Sequence, residues 1–247
     1  MADKAVSLRG EKNVMFTNRQ LVALMWPLLL EQMLAITVGL ADSLMVATVG
    51  DAAISAVSLV DSISNLMIYV FSAMATGGAA VAGQYIGQKH KEDACNAGQQ
   101  LIALLAAVSL FFVALLYLFR PQILTTMFGH IEPDVMAATN TYYIYVMASI
   151  PGIALYNGGA ALFRTMGRSD VSLKVSLLMN SINVAGNAIL IFGFGMDVAG
   201  VAIPTLISRT VAAAVILGLL FDNKLMLHLS NVRGFRLNMR LMKNIFY

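Results

Sequence analysis

Charge is what this sequence has least of. Of 247 residues, 12% are Asp, Glu, Lys or Arg and 59% are hydrophobic, and the mean hydropathy is +0.77. A soluble domain carries about a quarter charged residues, so a water-facing globular surface is excluded. Residues 62–88, 135–163 and 175–196 contain no charge, and residues 101–119 contain only Ser109 and Tyr117 as polar groups. Each run is long enough to cross a hydrocarbon core, which takes about 20 helical residues. A single cysteine, Cys95, excludes an internal disulfide; beside a lysine-rich turn it reads as a buried or membrane-edge thiol. The three histidines, His90, His130 and His228, fall in loops or the tail without metal-ligand spacing and read as solvated. With none inside a span, a Ser-His intramembrane protease is disfavoured. "GFGMD" at residues 193–197 misses the Gly-x-Gly-Asp spacing of an aspartyl one. No glycine-rich nucleotide loop is found outside the spans. The net charge of +3 is small, and its scattered cations make no nucleic-acid patch. No cleavable signal is evident, because the first apolar run begins near Leu21 and is too long for one.

What is present is a series of six apolar spans, at about residues 20–49, 53–86, 94–119, 136–163, 171–194 and 198–222. The fold class predicted is all-α: a polytopic membrane protein with a six-helix bundle. Barrel strands would be short and alternate in polarity. Residues 1–19 read as a cytoplasmic N-terminal segment, 20–222 as the bundle and 223–247 as a basic cytoplasmic linker. With both ends inside, fourteen of the sixteen basic residues lie on the inner side, as the positive-inside rule requires. Arg120 lies outside and Arg209 within a span. The second span exceeds one straight crossing; extension beyond the bilayer plus close packing through Gly77, Gly78, Gly83 and Gly87 is the favoured reading, with a bend as the alternative. Pro27 removes the backbone bond to Ala23 and permits a bend in the first span. The tail "NVRGFRLNMRLMKNIFY" reads as an interfacial amphipathic helix or connector. The chain stops on Ile245, Phe246 and Tyr247, as if a further span were about to begin.

Four ionisable residues fall inside spans: Glu31, Asp42, Asp61 and Arg209. A charge at the bilayer centre costs at least about 2.5–3.5 kcal/mol, so such residues face the bundle interior, find partners, or act. Counted from the span ends at 1.5 Å per residue, Asp42 lies roughly 12 Å, Asp61 roughly 15 Å and Arg209 roughly 14 Å below the outer end. Asn183 and Asn187, four residues apart, share a helix face at roughly 10–17 Å depth, with Asn180 on the same stripe and Thr205 slightly shallower. These positions from four spans converge on one layer and can form a connected network. Burial disfavours a charged carboxylate there and Arg209 favours it, so Asp42 is a candidate to exchange a proton for a cation. Neutralisation of Asp61 or Asp42 by Arg209, and interhelical bonding by the asparagines, are the plain structural alternatives. Glu31 projects from nearly the same face as Asp42 and lines the same cavity or meets water.

"WPLLLEQMLAITVGLADSLMVATVGDAAISAVSLVDSI", "GQYIGQKHKEDA" and "ALFRTMGRSDVSLKVSLLMNSINVAGNAILIFGFGMDVAGVAIPTLISR" resemble, in order and spacing, the first six helices of the MATE family of multidrug and toxic compound extrusion proteins. The resemblance covers nearly the whole chain. It implies one lobe of a twelve-helix transporter, the N-terminal half, facing a second six-helix lobe supplied by the same full-length chain or a partner chain. It implies alternating access and export of amphipathic, often cationic compounds against Na+ or H+, with no other cofactor. Asp42 matches the family's first-helix coupling aspartate, beside which Na+ would sit. Asn183, Asn187 and Thr205 match the polar network around it, and Asn157 matches a helix-four asparagine. Asn187 stands where some relatives carry a second carboxylate, which departs from a strict proton relay. Asp61 has no counterpart in the resemblance.

The reading is thus a plasma-membrane antiporter rather than an enzyme, in contact with membrane lipid and small amphipathic substrates. A flippase of lipid-linked precursors or polysaccharide from the same superfamily is the alternative; it would show a more basic cleft than three buried acids and one arginine provide. A passive scaffold subunit would be indifferent to loss of Asp42.

Overall fold

The computed structural model describes residues 18–129 and 132–229. Among them the chain forms eight α-helices: α1 (Asn18–Ala47), α2 (Asp51–Gly87), α3 (Lys91–Leu118), α4 (Arg120–Phe128), α5 (Pro133–Ala148), α6 (Ile150–Thr165), α7 (Ser169–Ala188) and α8 (Ala199–Leu220). A π-helical turn, Ile189–Gly193, extends α7. The N-terminal segment, His130 and the tail from residue 230 lie outside the described residues.

Among the described residues, six spans are long and apolar enough to cross a membrane: Met25–Ala47, Asp51–Gly87, Lys91–Leu118, Pro133–Thr165, Ser169–Gly193 and Ala199–Leu220. The fourth is built from α5 and α6, divided at Ser149. Pro151, early in α6, has no N–H for the preceding turn, which breaks the regular ladder there. The third span ends one residue before its expected limit, and a short helix absent from the sequence reading follows it. α4 is nine residues long with a proline near its start, where a missing N–H costs nothing; it is too short to cross. α2 runs unbroken for 37 residues, about 55 Å at 1.5 Å per residue, well beyond a hydrocarbon core of about 30 Å. A Cβ on Gly78 would collide with Leu101, and one on Gly83 with Thr165. Extension plus close packing is therefore what the second span does.

The fourth span is the axis of the bundle. Of the residues in its apolar stretch, 72% are buried in protein, against 6% for α1. Tyr143, Met147, Ile150, Leu162 and Phe163 are fully buried there. α2, α3 and α8 pack around it, while α1 leans mainly on α7. Trp26, Met33, Leu40 and Leu44 of α1 point outward. One end of the bundle carries the α1–α2 and α7–α8 turns; the other carries the α2–α3 and α6–α7 turns and the chain after α8.

That last segment doubles back over the bundle. Leu225, Leu227 and Leu229 are buried while Met226 is exposed, and the Leu229 N–H donates to Leu220 O at 2.8 Å. It brings the His228 backbone N–H to 3.5 Å from Cys95 Sγ and its ring Nδ1 to 3.6 Å. The reading of His228 as solvated is thereby corrected: its apolar neighbours draw it inward. Cys95 is buried, and His90 is exposed with Nδ1 3.3 Å from Asp93.

Candidate functional site

The polar residues of α7 and α8 are positioned by a close helix crossing. A Cβ on Gly186 would lie 2.7 Å from Pro204 Cβ, so only glycine lets α7 approach α8 at that height. Asn183 and Asn187 flank Gly186 on α7, and Thr205 follows Pro204 on α8. Asn183 Nδ2 donates to Thr205 Oγ1 at 3.1 Å, and Thr205 in turn donates to Val201 O at 3.0 Å. Just beyond Asn187 the helix passes into its π-helical turn, a distortion frequent near functional positions.

Asp42 on α1 meets this crossing. Asn187 Nδ2 donates to Asp42 Oδ1 at 2.8 Å, a charge-assisted bond when the carboxylate is ionised. Asn187 is fully buried, and its Oδ1 has no hydrogen-bond partner. A carboxylate and an unsatisfied amide oxygen thus belong to one bonded pair, a helical turn from Asn183–Thr205. Oxygen donors of this kind suit a hard cation. They equally suit a proton on Asp42.

Asp61 and Arg209 form a neighbouring cluster centred on the α5–α6 break. Arg209 Nη1 donates to Ser149 Oγ at 2.8 Å and Ser64 Oγ at 3.5 Å. Tyr142 donates to Asp61 Oδ1 at 3.2 Å. The guanidinium thus bonds serines, and direct pairing with Asp61 is corrected; Asp61 and Asp42 still lie close enough to Arg209 to feel its charge. A Cβ on Gly152 would lie 3.1 Å from Arg209's own carbonyl, so glycine lets the α8 backbone at Arg209 approach the start of α6 beside the break.

Glu31 neither shares the Asp42 cavity nor simply meets water. Tyr156 donates to its Oε1 at 2.9 Å, Ser172 to its Oε2 at 3.3 Å, and Arg164 Nη1 stands 3.7 Å away. Eleven residues separate Glu31 from Asp42, about 16 Å along α1, so Glu31 ties α1 to α6 and α7 nearer the other end. Asn180 also leaves the expected network, donating to Ser176 Oγ within its own helix at 3.3 Å. The Nδ2 of Asn157 is buried without a partner; a half-turn of its amide would present the oxygen instead.

Tyr142, Ser149, Tyr156 and Ser172 were not signalled by the sequence. Tyrosine and serine are ordinary in membrane helices, and only a partner marks them. The Ser149-Ile150-Pro151 step, a hydroxyl where a proline interrupts the ladder, is the one available signal.

A bundle of apolar spans with a carboxylate and amides held at depth between helices defines an integral membrane protein of the transporter kind. Comparison with known proteins makes the family explicit. The MatE family model matches residues 27–189, well over half of the chain, and the chain belongs to that family. An uncharacterized transporter, YisQ of Bacillus subtilis, is 32% identical over 196 residues, covering 77% of this chain and 42% of that protein. A probable multidrug resistance protein NorM of Thermotoga maritima is 23% identical over 211 residues, covering 84% and 45%. The fold superposes on an outward-facing multidrug resistance MATE family transporter of the MOP superfamily with TM-score 0.84 at 21% identity, covering 92% of this chain and 50% of that one. The chain spans about half the length of the relatives it matches.

Proposed function

We propose that this chain is one lobe of a multidrug exporter driven by Na+ or H+, and that Asp42 is the group that exchanges with the coupling ion. The observation that carries the reading is the Asp42–Asn187 bond, half-buried at Asp42 and fully buried at Asn187, with Asn187 Oδ1 left unsatisfied. In this reading Asn187 orients the carboxylate while its free oxygen, with Asn183 and Thr205 a turn away, completes a set of oxygens for a small cation. Protonation of Asp42 empties the site of negative charge, and cation binding balances it; either couples to how α1 packs on α7. The exported compounds are amphipathic and often cationic, met by apolar side chains on a second six-helix lobe and this one. The lobe sits in the plasma membrane with the α2–α3 turn on the cytoplasmic side, which the distribution of Lys and Arg favours.

The multidrug names of the NorM relatives support export over a lipid-precursor flippase. The test is efflux of a fluorescent cation from proteoliposomes holding the full-length transporter under imposed Na+ or pH gradients. Asp42→Asn abolishes gradient-driven efflux in this reading; equal efflux with Asp42 neutralised overturns it.

A further inference from the structure

We propose that the pocket between the α2–α3 turn and the segment after α8 binds the phosphodiester headgroup of an anionic phospholipid through Lys89, Lys91 and Lys224. The pocket has a volume of about 240 Å³ and is lined by those three lysines with Ile86, Leu225 and Met226. No carboxylate lines it. Ile86 lies in the last turn of α2, Lys91 opens α3, and Lys224 follows the end of α8. The pocket therefore sits at one end of the bundle, beside the point where the 22-residue α8 has run its length and where the longer α2 and α3 project past it. This placement rests on the membrane-spanning fold alone and not on the transport reading.

Three cations lining one pocket repel one another and favour an anion. None of the three has an ion-pair partner among the described residues. Of the acids nearest in sequence, Asp93 faces His90 at 3.3 Å, Asp222 accepts from the Lys224 backbone N–H at 3.0 Å, and Glu92 is exposed outside the pocket lining. Basic pockets at the ends of membrane helices are suited to anionic headgroups. The apolar half of the wall, including the 60% exposed Met226, offers contact to the glycerol and first methylenes of a lipid. A soluble phosphate would leave that half unused.

Two of the lysines are held by main-chain structure. The segment bearing Lys224 is pinned by the Leu225 N–H to Asp222 O bond at 3.0 Å and by buried Leu225 and Leu227. Lys89 stands at φ 61°, the only non-glycine residue with positive φ among those described. It closes α2 through Lys89 N–H to Ile86 O and His90 N–H to Tyr85 O, both 3.0 Å. α6 ends in the same motif, through Gly167 N–H to Arg164 O and Arg168 N–H to Phe163 O, both 2.9 Å. There the left-handed position is filled by Gly167 at φ 75°. Glycine is the residue this position favours, and backbone geometry gives lysine no advantage over it. Its charge is favoured there by the helix C-terminus, and would be favoured further by an anionic ligand.

That trade-off supplies a variant that separates binding from folding. The full-length transporter, purified in neutral detergent, is titrated with phosphatidylglycerol, phosphatidylcholine or glycerol 3-phosphate, with Tm and bound lipid by native mass spectrometry as readouts. Phosphatidylglycerol raises Tm and gives a one-lipid adduct, while phosphatidylcholine and glycerol 3-phosphate at the same concentration do neither. Lys89→Gly holds or raises the lipid-free Tm yet weakens phosphatidylglycerol binding at least threefold. Lys89→Gly, Lys91→Gln and Lys224→Gln together weaken it at least tenfold. Three results would each overturn the proposal: undiminished binding by the triple variant, equal shifts with both lipids, or the full shift with glycerol 3-phosphate alone.

Discussion

Asn187 donates a 2.8 Å hydrogen bond to Asp42 from one end of its amide and keeps the oxygen at the other end buried without a partner. A buried unsatisfied acceptor costs about 1–3 kcal/mol, so the fold alone gives little reason to retain an amide there. Replacing Asn187 with Ala removes both the donor and the free oxygen. A hydrogen bond to a charged group contributes about 1.5–3 kcal/mol, which corresponds to roughly 10–150-fold in an equilibrium constant. The Na+ or H+ concentration giving half-maximal efflux in the full-length transporter shifts by at least tenfold in Asn187→Ala. An unchanged value removes Asn187 from the coupling site.

The α7–α8 crossing makes a second prediction. In Gly186→Ala the new methyl meets the rigid ring of Pro204 rather than a flexible side-chain end. Overpacking of this kind costs about 1–3 kcal/mol. Tm in detergent falls, and the Asn183–Thr205 bond lengthens as the helices separate. Gly218→Ala, with nothing within 4 Å of the new Cβ, is the control and leaves Tm unchanged or raised.

Arg209 is predicted to act as counter-charge to Asp61 without touching it. Arg209→Met removes the cation while leaving Ser149 and Ser64 without their donor, and stability drops by about 3 kcal/mol or more, in the range for stripping a buried charge of its partner. Adding Asp61→Asn restores part of that loss. The coupling in this double-mutant cycle is between about 0.5 and 3 kcal/mol; strict additivity in thermal unfolding would show that the two charges do not communicate.

Glu31 is predicted to hold α1 against α6 and α7. Glu31→Ala leaves the Tyr156 hydroxyl and Ser172 with one acceptor fewer and frees Arg164. Amide hydrogen exchange in α1 near Pro27 and Glu31 accelerates several-fold, while exchange in α3 is unaltered. Glu31→Gln, which keeps an acceptor oxygen, shows a smaller increase. Identical exchange in all three proteins would mean that the cluster does not restrain the helix.

The number of spans and most of their limits were legible because twenty apolar residues in a row have few alternatives in water. The intramembrane charges were legible for the same reason: Asp42, Asp61, Glu31 and Arg209 stand out against hydrocarbon. Which charge meets which group was not. Depth along a helix follows from counting, but rotation and lateral neighbours do not, so the expected layer resolved into two neighbouring clusters, Asn180 left it, and Glu31 joined a separate cluster nearer the other end. Arg209 found Ser149 and Ser64 because Pro151 opens the fourth span beside it. Glu31 was captured by Tyr156 and Ser172, whose hydroxyls carry no distinguishing pattern. α4 was missed because nine residues of mixed polarity give no period to read. His228 was misplaced because buried leucines on either side outweigh its polarity.

The central claim is that Asp42 carries the coupling ion, and the most direct measurement is ion release on substrate binding. A cationic drug is added to the detergent-purified full-length transporter in weak buffer, and released H+ or Na+ is followed with a dye or selective electrode. The account predicts release from the protein with Asp42 intact and none attributable to this lobe in Asp42→Asn. Equal release from both would contradict it.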